Sequence, residues 1–145
     1  MSVSSSTDHG ATWSMPLTVS TATTTVMPWI AARSEKVDVV YYRNSAASTD
    51  DPNGVWNTYD SQFTSGAWNV ITVSNTPNRV GRVCLEGFAC AGNVDRELLD
   101  LFEVAEDPVT NRAAVIYTDT TLDTWTSPVD GTHQLPEIVL AYEQP

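Results

Sequence analysis

Positively charged residues are scarce in this sequence. It holds one lysine, Lys36, and six arginines against eighteen aspartates and glutamates, which gives a formal net charge of -11. A polyanion would be repelled by such a chain at moderate salt. The composition therefore argues against nucleic acid as a partner and predicts an acidic, well-solvated surface.

Long apolar runs are also missing. No stretch reaches the roughly eighteen apolar residues that a membrane-spanning helix needs, so we expect no membrane span. Residues 1–30 lack both a basic segment and an apolar segment, so no secretion signal is visible.

Cysteine occurs only twice, at Cys84 and Cys90, with Gly87 between them. This spacing allows a tight loop closed by one disulfide in an oxidising compartment. Two reduced thiols are the alternative. Metal ligation by this pair is disfavoured, because no histidine lies nearby to complete a site.

Long helical stripes are absent, and the composition is typical of β-structure. Thr, Val, Ser, Tyr and Trp are plentiful, and eight prolines and seven glycines supply turns. A chain of 145 residues is long enough for one ordinary core. We therefore expect an all-β fold and a single folding unit over residues 1–145.

A turn-forming motif lies near the start of the chain, over residues 6–13. In it, Asp8 is placed to accept backbone N–H bonds across a turn and Gly10 to take a positive φ. Ser6 and Thr12 add hydroxyl groups, and Trp13 can fold back over the hairpin. A hairpin that belongs to no particular family would give the same local pattern.

The motif resembles the Asp-box, or BNR repeat, of sialidases and related β-propellers, Ser-x-Asp-x-Gly-x-Thr-Trp. The matching residues are Ser6, Asp8, Gly10, Thr12 and Trp13. The resemblance implies a β-propeller blade. In that family the Asp-box is a structural device on the outer rim of a blade, so it indicates architecture rather than activity.

The strand pattern predicts about two to two and a half four-stranded antiparallel blades. We expect half a blade with the Asp-box over 1–20, a full blade over 26–78, a cysteine-loop insertion over 79–97 and a three-stranded blade over 98–145. The two similar hairpins align Tyr42 with Tyr117, a period of 117 - 42 = 75 residues. A propeller needs roughly four to eight blades, so we expect further blades or further copies of the chain to complete the ring.

Further segments resemble the C-terminal portion of bacterial sialidase-like proteins. They are Pro28-Trp29-Ile30, the Cys84 to Cys90 loop, an Arg96-x-Leu-x-Asp100 segment and Tyr117-Thr118-Asp119. This resemblance implies an extracellular or cell-surface location.

Sialidases of known mechanism use three arginines, a Tyr paired with a Glu, and an acid/base Asp. The resemblance covers only part of that set, so no catalytic residue is assigned. Whether the parent protein is an enzyme stays open at this point.

Three residues are candidates for ligand binding. Arg96 could meet an anionic ligand with Asp100 orienting it, although a buried Arg96–Asp100 ion pair is the alternative. Trp56 and Trp125 lie next to polar segments and could stack under a sugar ring, although core packing is the alternative for either.

The remaining tryptophans and the histidines are assigned structural roles. Trp13 is expected to belong to the Asp-box and Trp29 to a strand core, with His9 and His133 in surface turns.

No cofactor is required by any motif, but a Ca²⁺ ion is one possibility. Four carboxylates could supply its oxygen ligands, although their spacing does not match an EF-hand loop. They are Asp95, Asp100, Asp107 and Asp119.

Three functions are compatible with these features. The first is a non-autonomous part of a sialidase-like propeller that binds glycans or proteins, or is structural, without catalysis of its own. The second is the C-terminal part of an exo-α-sialidase-type glycoside hydrolase. The third is a self-assembling subunit that completes the ring through oligomerisation.

Overall fold

The computed structural model describes residues 1–90, 97–98 and 102–145. Within these residues the regular structure is all-β with antiparallel pairing, apart from one short 3₁₀ turn at Gly87–Cys90, which confirms the expected all-β class. The strands are β1 (Ser2–Val3), β2 (Leu17–Thr18), β3 (Thr25–Arg33), β4 (Lys36–Asn44), β5 (Val55–Thr64), β6 (Ala67–Thr72), β7 (Arg79–Val80), β8 (Glu103–Glu106), β9 (Ala113–Ser127) and β10 (Gly131–Tyr142).

The first unit is a two-stranded hairpin, β1–β2, which we call the entry hairpin. The turn motif over residues 6–13 lies in the segment that connects its two strands. The chain continues from β2 to Val19, whose carbonyl accepts a hydrogen bond of 3.1 Å from the hydroxyl of Ser61 in β5. The entry hairpin is thereby tied to one face of the next sheet.

The central sheet is an antiparallel meander in the order β3-β4-β5-β6. Its tight turns occur where the chain tolerates positive φ, at Ser34 (54°) and at Ser65–Gly66 (52° and 83°), the latter as in a type I′ hairpin. Short strand β7 falls in the segment assigned to the cysteine-loop insertion, yet it pairs with the start of β5.

The terminal sheet is a three-stranded meander in the order β8-β9-β10. The turn between β8 and β9 is held by Asp107, whose Oδ1 accepts the amide hydrogens of Val109 at 2.7 Å and Thr110 at 3.1 Å. These two bonds lower the pKa of Asp107. The long β9–β10 pair has one irregularity, between Leu135 and Glu137.

The core lies between the central and terminal sheets. Alternate residues of β4 and β5 (Val40, Tyr42, Trp56) pack against Val115 and Tyr117 of β9. Burial of these large side chains supplies the main stabilisation of the fold, because each removes extensive apolar surface from water. We call the face of the central sheet that points to the terminal sheet its front, and the opposite face its back.

Tyr42 and Tyr117 meet across the core. Tyr42 lies on the front of the central sheet, where its Oη accepts the Thr118 amide at 2.9 Å, and Tyr117 lies on the face of the terminal sheet that points back to it. Tyr41 lies on the back of the central sheet, 3.0 Å from Ser61 Oγ. The strand pairing is compatible with the expected step of 75, since Trp29 pairs with Val40 and Val104 pairs with Val115.

Trp29 also differs from expectation. We expected a strand-core residue, but its side chain is 48% exposed. The pairing of β3 with β4 shifts register between Val26 and Trp29, which interrupts the alternation of inward and outward residues at this point.

Candidate functional site

The turn motif over residues 6–13 forms a closed network of hydrogen bonds. The Asp8 carboxylate accepts the Thr12 amide at 2.9 Å and the Thr12 hydroxyl at 2.6 Å, and it also accepts the Ser6 hydroxyl at 2.8 Å. The Gly10 amide donates to Ser6 Oγ at 2.8 Å, and Gly10 has a φ of 88°. The Thr12 and Ser6 bonds lower the pKa of Asp8 to about 2. These bonds hold a surface corner and give Asp8 a structural role.

The disulfide between Cys84 and Cys90 is present, which confirms that prediction and excludes the free-thiol alternative. The loop it closes contains the Gly87–Cys90 turn, and Gly87 takes a φ of 58° there. The disulfide therefore closes a short loop in the segment that connects the central sheet to the terminal sheet.

Trp56 is not an exposed stacking residue. Its side chain is 0% exposed, and its indole N–H donates to the Gly81 carbonyl at 2.8 Å. The polar sequence neighbours of Trp56 gave the wrong indication, because adjacent residues of a strand point to opposite faces of the sheet and need not share the same burial. Trp56 is a core residue.

Trp125 is exposed as expected, with 55% of its side-chain surface accessible. It lies on β9 directly opposite His133 on β10, and the two rings stack with centroids 5.8 Å apart. His133 is in a strand rather than in a turn, and its Nε2 lies 3.2 Å from Asp130 Oδ1. The stacking fixes the orientation of an accessible indole face.

A shallow cleft of about 470 Å³ begins beside His133. Its wall includes Arg82, which is half exposed, and Arg79, which is buried and pairs with Glu97. Gln134 adds a side-chain amide. The cleft thus offers a guanidinium, a side-chain amide and an imidazole, and the imidazole is the one that stacks on the Trp125 ring.

Arg96, Asp95 and Asp100 lie outside the described residues. Of the other two carboxylates considered for calcium, Asp107 binds amides of its own turn, and Asp119 accepts the Thr121 amide at 2.7 Å. Among the residues that the structure describes, no group of three or more metal-ligating side chains is assembled.

A buried charge cluster lies in the seam between the central and terminal sheets. The ammonium of Lys36 lies 3.2 Å from Asp38 Oδ2 and 2.5 Å from Glu143 Oε2, and it donates to the Asn111 carbonyl at 3.3 Å. Gln62 bridges the same two carboxylates, with 2.8 Å to Asp38 and 3.2 Å to Glu143. The cluster joins β4 and β5 to the end of the chain.

Burial and charge act in opposite directions in this cluster. Burial opposes the charge of Lys36, but the bond to Glu143 and the charge of Asp38 outweigh it and raise the Lys36 pKa. Burial likewise disfavours ionised Glu143, but bonds from Lys36 and the Ala113 amide outweigh it and lower its pKa. Both groups are therefore held in their charged forms.

Asp60 behaves differently. Burial, followed by the charge of neighbouring Asp38, raises the pKa of Asp60 to about 8. Burial and Asp38 also raise the pKa of Glu106. A single lysine cannot neutralise every carboxylate around it, so Asp60 retains its proton at neutral pH.

An inter-sheet cleft of about 630 Å³ opens over this cluster, along the side of β6 and β10. Asp60, Gln62, Glu143 and Tyr117 contribute to its lining. A neutral carboxylic acid and a carboxylate thus border one cavity, an arrangement that can donate and accept protons.

Sequence reasoning missed the charge cluster, although one signal for it exists. The only lysine of the chain and Asp38 occupy alternate positions of β4, a spacing that places both on one face of a strand. Asp60 and Glu143 are distant in the sequence and carry no local signal.

Comparisons with known proteins give no match. No family model, curated protein or solved structure is significantly similar to this chain. In the part of the chain that is described, no helix has the length and apolar character needed to cross a membrane.

Proposed function

We propose that this chain is a carbohydrate-binding part of a sialidase-like β-propeller. The sheets support the architecture, since the entry hairpin, the central sheet and the terminal sheet follow one another in chain order and stack face to face. The hydrogen bonds of Asp8 with Ser6 and Thr12 are those that the Asp-box resemblance requires.

The observation that carries the binding function is the exposed indole of Trp125. An aromatic face held in place by His133 suits the apolar C–H side of a pyranose ring. The adjacent cleft provides hydrogen-bond donors for sugar hydroxyls, and Arg82 is a cation for an acidic sugar. The surface matches a glycan better than a polyanion, because the net charge of -11 repels extended negative chains.

A titration with lactose and with 3′-sialyllactose, followed by tryptophan fluorescence and NMR, tests the proposal. Trp125→Ala should weaken binding of either sugar about tenfold or more, equivalent to about 1.4 kcal/mol. Trp29→Ala is the matched control, because Trp29 is similarly exposed but lies on β3. Equal affinity of the two variants would contradict the assignment.

Glycoside hydrolysis is a second candidate, because Asp60 and Glu143 both line the inter-sheet cleft. Most glycoside hydrolases use a carboxylic acid and a carboxylate, whereas sialidases use a tyrosine as the nucleophile. We expect no turnover of a fluorogenic sialoside by this chain alone, because the arginine set of sialidases is not assembled in the described residues. Turnover that disappears in Asp60→Asn would establish this second function instead.

A further inference from the structure

Part of one face of the terminal sheet is apolar and exposed. Ile138, Leu140 and Tyr142 alternate along β10, each 56% exposed, and Ile116 lies directly opposite Leu140. The intervening residues Val139 and Ala141 pack toward the core. We call the surface formed by Ile116, Ile138, Leu140 and Tyr142 the outer face. Contiguous exposed apolar surface of this kind marks an interaction site.

The packing of the central sheet shows how such a face can be used. Val40 on the front of the central sheet is fully buried in the core that this sheet shares with the terminal sheet. The outer face lies on the side of the terminal sheet that points away from this core, so another β-unit can pack on it as the terminal sheet packs on the central sheet.

The opposite end of the chain offers an apolar surface. Trp13, Met15 and Leu17 of the entry hairpin are all more than half exposed. Inside the chain, the entry hairpin contacts the back of the central sheet, and the terminal sheet packs on its front.

We propose that the outer face binds the entry hairpin of a second copy of this chain, in a head-to-tail contact. The inference rests on the blade-like stacking in the proposed function, but not on carbohydrate binding. Such a contact joins two different surfaces, so it can propagate into a ring or a filament. Two chains of charge -11 repel each other, and association should therefore strengthen as salt screens the charge.

Light scattering coupled to size-exclusion chromatography tests this contact. The parent chain should associate with increasing concentration, and more strongly at about 0.5 M than at about 0.05 M salt. Leu140→Glu should weaken association about tenfold or more. Val129→Glu is the control, because it adds the same charge at an exposed position in the β9–β10 turn, away from the outer face.

A mixing experiment tests the head-to-tail geometry. Leu17→Glu should also abolish self-association, because it alters the other surface. An equimolar mixture of Leu140→Glu and Leu17→Glu should then form dimers and nothing larger, since each variant retains one intact surface.

A monomeric parent chain under all conditions would overturn the proposal. So would a Leu17→Glu variant that associates as the parent does, which would indicate that two outer faces meet. Sugar affinity is measured separately, so failure of the assembly and failure of carbohydrate binding are distinguishable.

Discussion

The Asp8 carboxylate closes the entry hairpin by accepting bonds from both the amide and the hydroxyl of Thr12. We expect Asp8→Ala to raise the hydrogen-exchange rate of the Thr12 amide about tenfold or more, because the corner then opens locally. NMR exchange measurements check this. Asp51→Ala is the control, since Asp51 holds a different loop through the Asn53 amide, and it should leave Thr12 unchanged.

The pH dependence of this corner follows from the lowered pKa of Asp8. Its pKa falls from 3.8 to about 2 on folding, so its contribution is complete above about pH 4 and is lost as the pH falls through about 2. Thr12 should therefore remain protected at pH 4. Loss of protection at that pH would contradict the hydrogen-bond assignment.

Truncation of Trp56 should lower the free energy of unfolding much more than truncation of Trp125. Trp56→Ala removes a fully buried ring and leaves the Gly81 carbonyl without its indole donor, so we expect the free energy of unfolding to fall by about 3–5 kcal/mol. Trp125→Ala should change it by less than about 0.5 kcal/mol. Urea denaturation measures both, and Trp56→Phe serves if the alanine variant does not fold. Similar losses for both residues would refute the burial difference.

Asp8 and Trp56 differ in how well the sequence predicts their environments. The bonds of Asp8 join residues within four positions, so the sequence alone determines them. The burial of Trp56 depends on a core cluster that includes residues of β8 and β9, far along the chain, so its polar sequence neighbours misled the prediction.

At the scale of elements, strand β5 contributes a carboxyl group that is neutral at neutral pH. The pKa of Asp60 rises from 3.8 to about 8 on folding, so its proton stabilises the fold fully below about pH 4. That stabilisation is lost progressively as the pH rises through about 8. The charged groups facing it are Lys36, Asp38 and Glu143.

We therefore expect Asp60→Asn to flatten the decline in the free energy of unfolding between pH 5 and pH 9. Urea denaturation at a series of pH values measures the slope. Asp123→Asn, at an exposed position of β9, should keep the slope of the parent chain. Equal slopes for the parent chain and Asp60→Asn would show that Asp60 is already ionised in the folded state.

Strand positions were largely predictable, because alternating apolar residues and turn-forming pairs such as Ser65-Gly66 are local signals. Strand partners at the level of single residues were not. The cross-strand partners within each hairpin, such as Trp29 with Val40 and Val104 with Val115, are seen only in the pairing of the strands.

At the scale of the whole molecule, Lys36 links the central sheet to the chain end through Glu143 and to the β8–β9 turn through the Asn111 carbonyl. Lys36→Met leaves buried Asp38 without its cation, and we expect a loss of about 3–5 kcal/mol in the free energy of unfolding. Calorimetry measures the loss. Arg33→Met is the control, because Arg33 is exposed and also reaches the β8–β9 turn, through Pro108. It should cost less than about 1 kcal/mol. Equal effects would mean that Lys36 is not buried among carboxylates in solution.

The sequence by itself determined the all-β class and the internal bonds of the corner over residues 6–13, and it allowed the disulfide that the structure contains, because each depends on composition or on residues close together in the chain. The tertiary structure alone decided that Trp56 is core and that Asp60 meets the Lys36 cluster. It also decided that the outer face of the terminal sheet is left uncovered. The physical reason is that burial and electrostatic environment are set by which sheet faces pack together. That packing brings together residues as far apart as Lys36 and Glu143, which no local pattern connects.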